Sequence, residues 1–271
     1  MSALIDGQPL DFVPVDDRAL LFGESVFETI AFRAGRAPLW DWHMARLDKA
    51  ARIMGWEQPN AALLAEECSR LLAGESLPGA VVRITLTGGS GGAGYWPPAE
   101  QKIRRIVQVR PWPQRIERQQ VEGLEVIVSS FQLPRSWIYS GLKHGNRLLQ
   151  TRAAQECRVR GADEALLLDG KGQFSEALSS NLLLVMRGEI LTPADVEVRG
   201  VGLSWLRAEL GERVRTGSIV PGAISELDEM LVINSVAGVR PVVAVEDHRL
   251  PCGPVGRELQ SIWRKKLFAC D

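Results

Sequence analysis

The chain has 271 residues, 45% of them hydrophobic and 24% charged, with 32 Lys and Arg against 33 Asp and Glu for a formal net charge of −1. That length suits one large domain or two modest ones, and the composition is that of a globular chain rather than a disordered, collagen-like or miniature one. The balance of charge leaves no bulk positive field to draw in nucleic acid or an anionic membrane.

The start, MSALIDGQPLDF, has no basic region followed by an apolar stretch, and nowhere do about 18 apolar residues run together. The expectation is a cytoplasmic protein. Cys68, Cys157, Cys252 and Cys270 are scattered without CxxC spacing, and His43, His144 and His248 are equally dispersed. Neither a disulfide framework nor a metal site is predicted, and each thiol reads as a small buried hydrophobe.

In chain order, Leu4-Ile5 before Asp6-Gly7, and Thr29 to Phe32 before Ala34-Gly35, predict hairpins. Met44, Leu47, Ala50, Ala51 and Met54, then Leu63, Leu64, Cys68, Leu71 and Leu72, recur at helical spacing and predict two helices. Val81 to Leu86 and Ile103 to Val109 read as strands with the glycine-rich stretch Gly88 to Gly94 between them. A polar run over 114–120 reads as an interdomain linker, giving a smaller N-terminal domain over 1–113 and a larger C-terminal domain over 121–271. In the second half, strands are predicted at Leu124 to Ser129, Ala165 to Leu168, Asn181 to Met186 and Met230 to Ile233. Helices are predicted at Asn146 to Arg158, near Ser204 to Val214, and at Gly256 to Phe268. This mixture argues α+β rather than a doubly wound sheet.

Gly89-Ser-Gly91-Gly-Ala-Gly94 formally satisfies the dinucleotide-binding pattern GxGxxG, but Tyr95-Trp96-Pro97-Pro98 follows, and the two prolines forbid the helix that would hold a pyrophosphate. A loop between strands is expected, with Tyr95 at its end a candidate to line a cleft. The cluster Lys102, Arg104, Arg105, Arg110, Arg115 and Arg118 reads first as a solvated strand edge and linker, and otherwise as a steering surface for an acidic substrate. Lysine is scarce: Lys49, Lys102, Lys143, Lys171, Lys265 and Lys266 are the whole set. Only Lys143 sits among small residues where a strand gives way to a helix, a place suited to a cofactor, although composition alone allows a solvated lysine there.

Several segments, in order, resemble the fold-type IV pyridoxal-phosphate enzymes, the class IV aminotransferase superfamily that holds branched-chain and D-amino-acid aminotransferases and aminodeoxychorismate lyase. They are Asp17-Arg18, Phe22 through Ile30, His43-Met-Ala-Arg46-Leu47, Lys143-His-Gly-Asn-Arg-Leu148, Phe174-Ser-Glu176 through Asn181, Leu191-Thr-Pro193, Gly202-Leu-Ser204, Asp228-Glu229, Asn234-Ser235 and Pro241-Val242. The likeness covers nearly the whole chain and implies a two-domain α+β architecture like that of D-amino-acid aminotransferase, with pyridoxal 5'-phosphate as cofactor.

By this resemblance Lys143 is the Schiff-base lysine, carried by the larger C-terminal domain, and moves the substrate proton. Glu176 matches the partner of the pyridine nitrogen. Arg46 occupies the phosphate-arginine position, Leu203 and Ser204 offer donors at a helix N-terminus, and Ser235 completes the phosphate cup. Trp205 departs from the arginine that many relatives carry. Tyr95 and Arg147 are candidate substrate-binding residues, Arg147 standing either by the cofactor's phenolic oxygen or at a substrate carboxylate.

Two reactions share the first proton removal. The compact length, the GSGGAGY loop and the KHxNRL pattern resemble the lyases, which convert 4-amino-4-deoxychorismate to 4-aminobenzoate and pyruvate in folate biosynthesis. Gly145 in place of leucine, and Ala93 in place of arginine, leave an amino-acid aminotransferase as the alternative. A homodimer is implied, acting on a small molecule without nucleic acid, membrane or metal.

Overall fold

The computed structural model of the chain describes residues 2–73, 79–134 and 141–268. Tyr139 and Ser140 of the lysine segment, and Cys270, lie outside these. The chain divides into two compact units, Met1–Trp112 with Leu142–Arg147, and Pro113–Gly141 with Leu148–Asp271.

The first unit contains β1 (Ser2–Ile5), α1 (Arg18–Phe22), β2 (Ser25–Arg33), α2 (Trp40–Ile53), α3 (Ala61–Ala73), β3 (Gly79–Thr87) and β4 (Arg104–Pro111). Its strands form an antiparallel sheet in the order β1-β4-β3-β2. Side chains alternate across a strand, so Val26, Ile30 and Phe32 share one face with Val82, Ile84, Leu86, Val107 and Val109. That face is buried with the apolar stripes of the two helices, Met44, Leu47 and Ala51 of α2 and Leu64, Cys68 and Leu71 of α3.

The turns expected at Asp6-Gly7 and Ala34-Gly35 form, with all four residues at positive φ. The hairpins do not. Each turn closes a single bridge, Ile5 to Gln8 and Arg33 to Arg36, and the strands pair elsewhere, β1 with β4 and β2 with β3. Pro9 and Pro38, which lack the N–H a ladder needs, follow these turns closely.

The second unit contains α4 (Arg115–Glu122), β5 (Leu124–Gln132), α5 (Leu148–Arg160), β6 (Glu164–Leu168), β7 (Phe174–Ala177), β8 (Asn181–Met186), β9 (Glu189–Pro193), α6 (Val201–Leu210), β10 (Val214–Gly217), β11 (Glu229–Asn234), β12 (Gly238–Val245), β13 (His248–Arg249) and α7 (Pro254–Phe268). Its sheet runs β10-β9-β8-β11-β12-β5-β6-β7, with β13 on β12. A further pairing of β7 with β8 closes six of these strands into a barrel, and the residues that meet at the closure are Glu176 and Asn181. Leu124, Val126, Leu166, Phe174, Leu182, Met230, Val232 and Val242 belong to its buried core.

Several expectations are corrected here. Residues 114–120 are not a bare linker: they make up most of α4, which buries Ile116 and Gln119 and packs on β12. One apolar side chain, Ile116, and one buried amide, Gln119, which donates to Asp163 and accepts from Arg240, hold this short helix, a pattern easily lost among charged neighbours. Lys143 groups with the first unit and not with the C-terminal one. α6 stops at Leu210, and Val214 opens β10. α5 starts at Leu148, because Asn146 and Arg147 turn their side chains back onto residues 23, 142 and 144. Cys68 and Cys157 are buried thiols, as expected, whereas Cys252 is exposed. Among the described residues no helix is long and apolar enough to cross a membrane, and no group of residues could hold a metal ion.

Candidate functional site

Of the described lysine side chains, those of Lys49, Lys102, Lys171 and Lys265 are exposed, whereas Lys143 is half-buried. Its position follows from the sheet order. β2 is an edge strand with unpaired backbone groups, and the loop carrying Lys143 covers that edge. Phe27 N–H donates to the Lys143 carbonyl at 2.9 Å and Gly145 N–H to the Ser25 carbonyl at 2.8 Å, while Leu142 is anchored in the core of the first unit. The Lys143 Nζ then lies 4.7 Å from the centroid of the Phe27 ring. The Arg83 guanidinium stands over the same ring at 3.7 Å. Burial, with the charge of Arg110 added, pulls Arg83 down to about 10.

Arg46 sits on α2 and is held by a residue the sequence did not single out. Glu28, on the helix-facing side of β2 and 1% exposed, accepts from Arg46 Nε at 2.7 Å and Nη2 at 2.6 Å, and shares Oε2 with His43 Nδ1 at 2.6 Å. Burial pushes the Glu28 carboxyl up, but the charges and hydrogen bonds of Arg46 and His43 outweigh it and hold the group at about 2. His43 is lowered, chiefly by burial, with the charges of Arg46 and Lys143 acting in the same direction. A neutral imidazole donating from Nδ1 to an ionised carboxylate leaves Nε2 as a lone-pair acceptor, and this atom is buried without a hydrogen-bond partner among the described residues. Nε and Nη2 of Arg46 are thus both engaged by Glu28. The discoverable signal was a carboxylate in an otherwise apolar strand, Val26-Phe27-Glu28, which demands a cationic partner.

In the second unit, Glu176, Leu203, Ser204 and Ser235 are linked by one line of contacts. Glu176 is buried at the barrel closure and accepts the Val198 N–H at 2.9 Å. Asn181, its partner across the closure, donates to the Val198 carbonyl and accepts from Gly200 N–H. Gly200 is the N-cap of α6. Two residues on, a Cβ at Gly202 would stand 3.0 Å from the Asn234 carbonyl carbon and 3.2 Å from Ser235 N, so a side chain there would press the helix start and that turn apart by a few tenths of an ångström. Ser180 Oγ braces the turn from below, taking Asn234 Nδ2 at 3.2 Å and the buried Arg240 Nη2 at 2.8 Å. The Ser204 N–H is already bonded to the Gly200 carbonyl at 3.0 Å. Ser204 therefore offers its hydroxyl alone, and the donors of the first turn are the N–H groups up to Leu203. Trp205 is buried and packs edge-on against Trp263 of α7, with ring centroids 5.3 Å apart.

The glycine-rich stretch is a loop, as the prolines required. Gly92 has φ +91° and a Cβ there would stand 2.2 Å from the Trp96 carbonyl oxygen. Arg18, 4% exposed, organises it, donating to the Tyr95 carbonyl at 3.0 Å and to Glu24. Tyr95 is exposed, with its ring 5.3 Å from that of Phe22. Three of the six residues of the basic cluster are in ion pairs. Arg104 pairs with Asp6 and Asp17, Arg105 with Asp6 and Glu67, and Arg118 with Glu122 and Asp163. A solvated, paired edge describes it better than a steering field.

Residues 25–245 match the family described as Amino-transferase class IV. The chain belongs to this family. It is 26% identical to the aminodeoxychorismate lyase of Vibrio harveyi, over 94% of this chain and 97% of the relative. It is 28% identical to the branched-chain-amino-acid aminotransferase of Escherichia coli K12, over 92% and 85%. Among solved structures, the 4-amino-4-deoxychorismate lyase of Pseudomonas aeruginosa superposes with a TM-score of 0.88 at 33% identity, covering 98% of this chain and 99% of that one. The E. coli branched-chain aminotransferase gives 0.87 at 26%, covering 98% and 94%. The α+β fold is thus that of the fold-type IV class, and the chain is a pyridoxal-phosphate enzyme.

The donor sets in the two units fit that cofactor. In the first unit a half-buried amine suits an aldehyde and a guanidinium suits a phosphate; in the second, taken by itself, a helix start brought against a turn at Gly202 suits an anion. A buried carboxylate already fixed by one backbone N–H suits a protonated ring nitrogen.

Proposed function

We propose that this enzyme cleaves 4-amino-4-deoxychorismate to 4-aminobenzoate and pyruvate. The observation that supports this reading best is the likeness to the P. aeruginosa lyase, which runs the whole length of both chains at 33% identity. Lys143 is the residue that binds the cofactor aldehyde, and Glu176 faces the ring nitrogen. Arg46, the first turn of α6 through Leu203, the Ser204 hydroxyl and Ser235 hold the phosphate. Tyr95 is a residue for substrate contact.

When bound, the cofactor supplies an electron sink for the carbanion next to the amino nitrogen. The chain supplies the rest. Lys143 Nζ takes the proton from the ring carbon that bears the amino group, and Glu176 keeps the opposing ring nitrogen protonated. Loss of the enolpyruvyl group from the substrate ring then creates an aromatic product, and the proton that Nζ carries is the one the departing enolpyruvate needs to become pyruvate. Atoms balance without water or an oxidant.

The second reading, an amino-acid aminotransferase of the branched-chain or D-amino-acid type, is favoured by the comparable identity to the E. coli enzyme. Supplying 4-amino-4-deoxychorismate and assaying 4-aminobenzoate and pyruvate separates the two. Both products without conversion of the cofactor to its amine form support the lyase, while amino-acid-dependent conversion with no 4-aminobenzoate supports the aminotransferase. The same reading places the enzyme in folate biosynthesis, in the cytoplasm, as a homodimer. The exposed apolar residues Phe12, Val15, Leu20, Leu21, Tyr95 and Trp96 of the first unit support the dimer.

A further inference from the structure

We infer that Arg147 is a positioning residue for Lys143: its guanidinium bridges the two carbonyls that flank the lysine and so fixes the direction in which the amine projects. Arg147 Nε donates to the His144 carbonyl at 2.9 Å and Nη2 to the Leu142 carbonyl at 2.9 Å. The carbonyl between them, that of Lys143 itself, takes the Phe27 N–H at 2.9 Å, and the Gly145 carbonyl takes the Arg147 N–H at 2.8 Å. Four successive carbonyls of the loop are therefore bonded, and one planar group ties the first to the third. Asn146 Nδ2 adds a bond to the Gly23 carbonyl at 3.2 Å, and the Leu142 side chain is buried in the core of the first unit. With its own carbonyl and those on both sides held, the direction in which the Lys143 side chain leaves the backbone is set.

The fork is what suits arginine to the task. A rigid guanidinium presents donors at two edges, and a lysine in its place is a point donor that can satisfy one carbonyl. An arginine whose N–H groups already face two backbone carbonyls is also poorly disposed to be the main ligand of a substrate carboxylate. This inference rests on the reading of Lys143 as the residue that binds the cofactor aldehyde, and a small error in the placement of such a group is costly.

The test compares the wild-type holoenzyme with Arg147→Lys and Arg147→Gln. Borohydride reduction of the wild type, followed by peptide mapping, first locates the cofactor. A label away from Lys143 defeats the underlying reading, and with it this one. With the label on Lys143, both variants are expected to retain the far-ultraviolet circular dichroism of the wild type. The pH titration of the cofactor absorbance should move, the cofactor should dissociate roughly tenfold faster, and kcat should fall by about tenfold or more, as expected when one or two hydrogen bonds at the reacting group are lost. KM should change little, and Arg147→Lys should lie between wild type and Arg147→Gln. If Arg147→Gln does not fold, Arg147→Lys carries the comparison alone. A KM raised tenfold, with kcat and the absorbance titration unchanged, would make Arg147 a substrate ligand and overturn the inference.

Discussion

Glu28 and Arg46 form a two-pronged ion pair in the first unit, Nε to Oε1 at 2.7 Å and Nη2 to Oε2 at 2.6 Å, with His43 on the same carboxylate. The residue read as the phosphate arginine is thus pre-oriented by protein before any phosphate arrives. A flexible arginine would have to lose its rotamer freedom on binding, and here that ordering has happened in the fold.

Removing the carboxylate should be costly. Glu28→Gln leaves Arg46 and His43 against a neutral amide, and breaking a buried pair by removing one partner typically costs about 3–5 kcal/mol. Arg46 is 15% exposed at its side chain, so the lower end of that range is expected. Urea unfolding of the cofactor-free protein measures it, and a change under about 0.5 kcal/mol, typical of surface positions, would mean the pair contributes nothing net.

The same pair sets a pH dependence. Glu28 has an ordinary value of 4.5 and is held at about 2. Below pH 4.5 the unfolded chain binds a proton that the folded chain refuses, so the stabilisation is complete above 4.5 and is lost as the pH falls toward 2. His43, lowered from 6.5, acts with the same sign from 6.5 downward. Glu164, raised by burial, opposes them. The wild type should therefore lose its advantage over Glu28→Gln between pH 4.5 and 2 in urea titrations. A constant difference across that window would contradict the assignment.

Gly145 leaves no room for a side chain, and the reason lies opposite it. A Cβ there would be 2.1 Å from Ser25 Oγ but 3.5 Å from Ser25 Cβ. Gly145→Ala alone should destabilise by about 1–3 kcal/mol through overpacking, and in a Ser25→Ala background it should be nearly neutral. A double-mutant cycle by thermal unfolding reads the coupling. Additive effects would mean the serine hydroxyl turns aside freely.

Glu176→Gln keeps shape and removes charge. A charge-assisted hydrogen bond is worth about 1.5–3 kcal/mol, so turnover should fall roughly 10- to 150-fold, with a changed cofactor absorption spectrum and little change in fold. Unaltered turnover would separate Glu176 from the ring nitrogen.

Much of this was legible in the sequence, for identifiable reasons. α2 and α3 announce themselves because their apolar stripes face one buried sheet, and the lysine segment stands out because small residues surround a scarce amine. What escaped was organisation set at a distance. β12 lies between β11 and β5, yet carries Pro241, a residue that argues against an inner strand. α4 passed for a linker because it buries so little. Lys143 was placed in the wrong unit because its loop completes the edge of β2, more than a hundred residues earlier. Glu28 and His43 lay within quoted motifs but had no role, since the meaning of a buried carboxylate depends on which helix it faces.

The central claim is that Lys143 carries the cofactor, and borohydride reduction of the holoenzyme followed by peptide mass mapping tests it most directly. The account expects a stable pyridoxyl adduct on the peptide containing Lys143, and neither adduct nor yellow colour in Lys143→Ala. An adduct on Lys49, Lys102, Lys171, Lys265 or Lys266, or a wild-type protein that stays colourless with added pyridoxal phosphate, would contradict it.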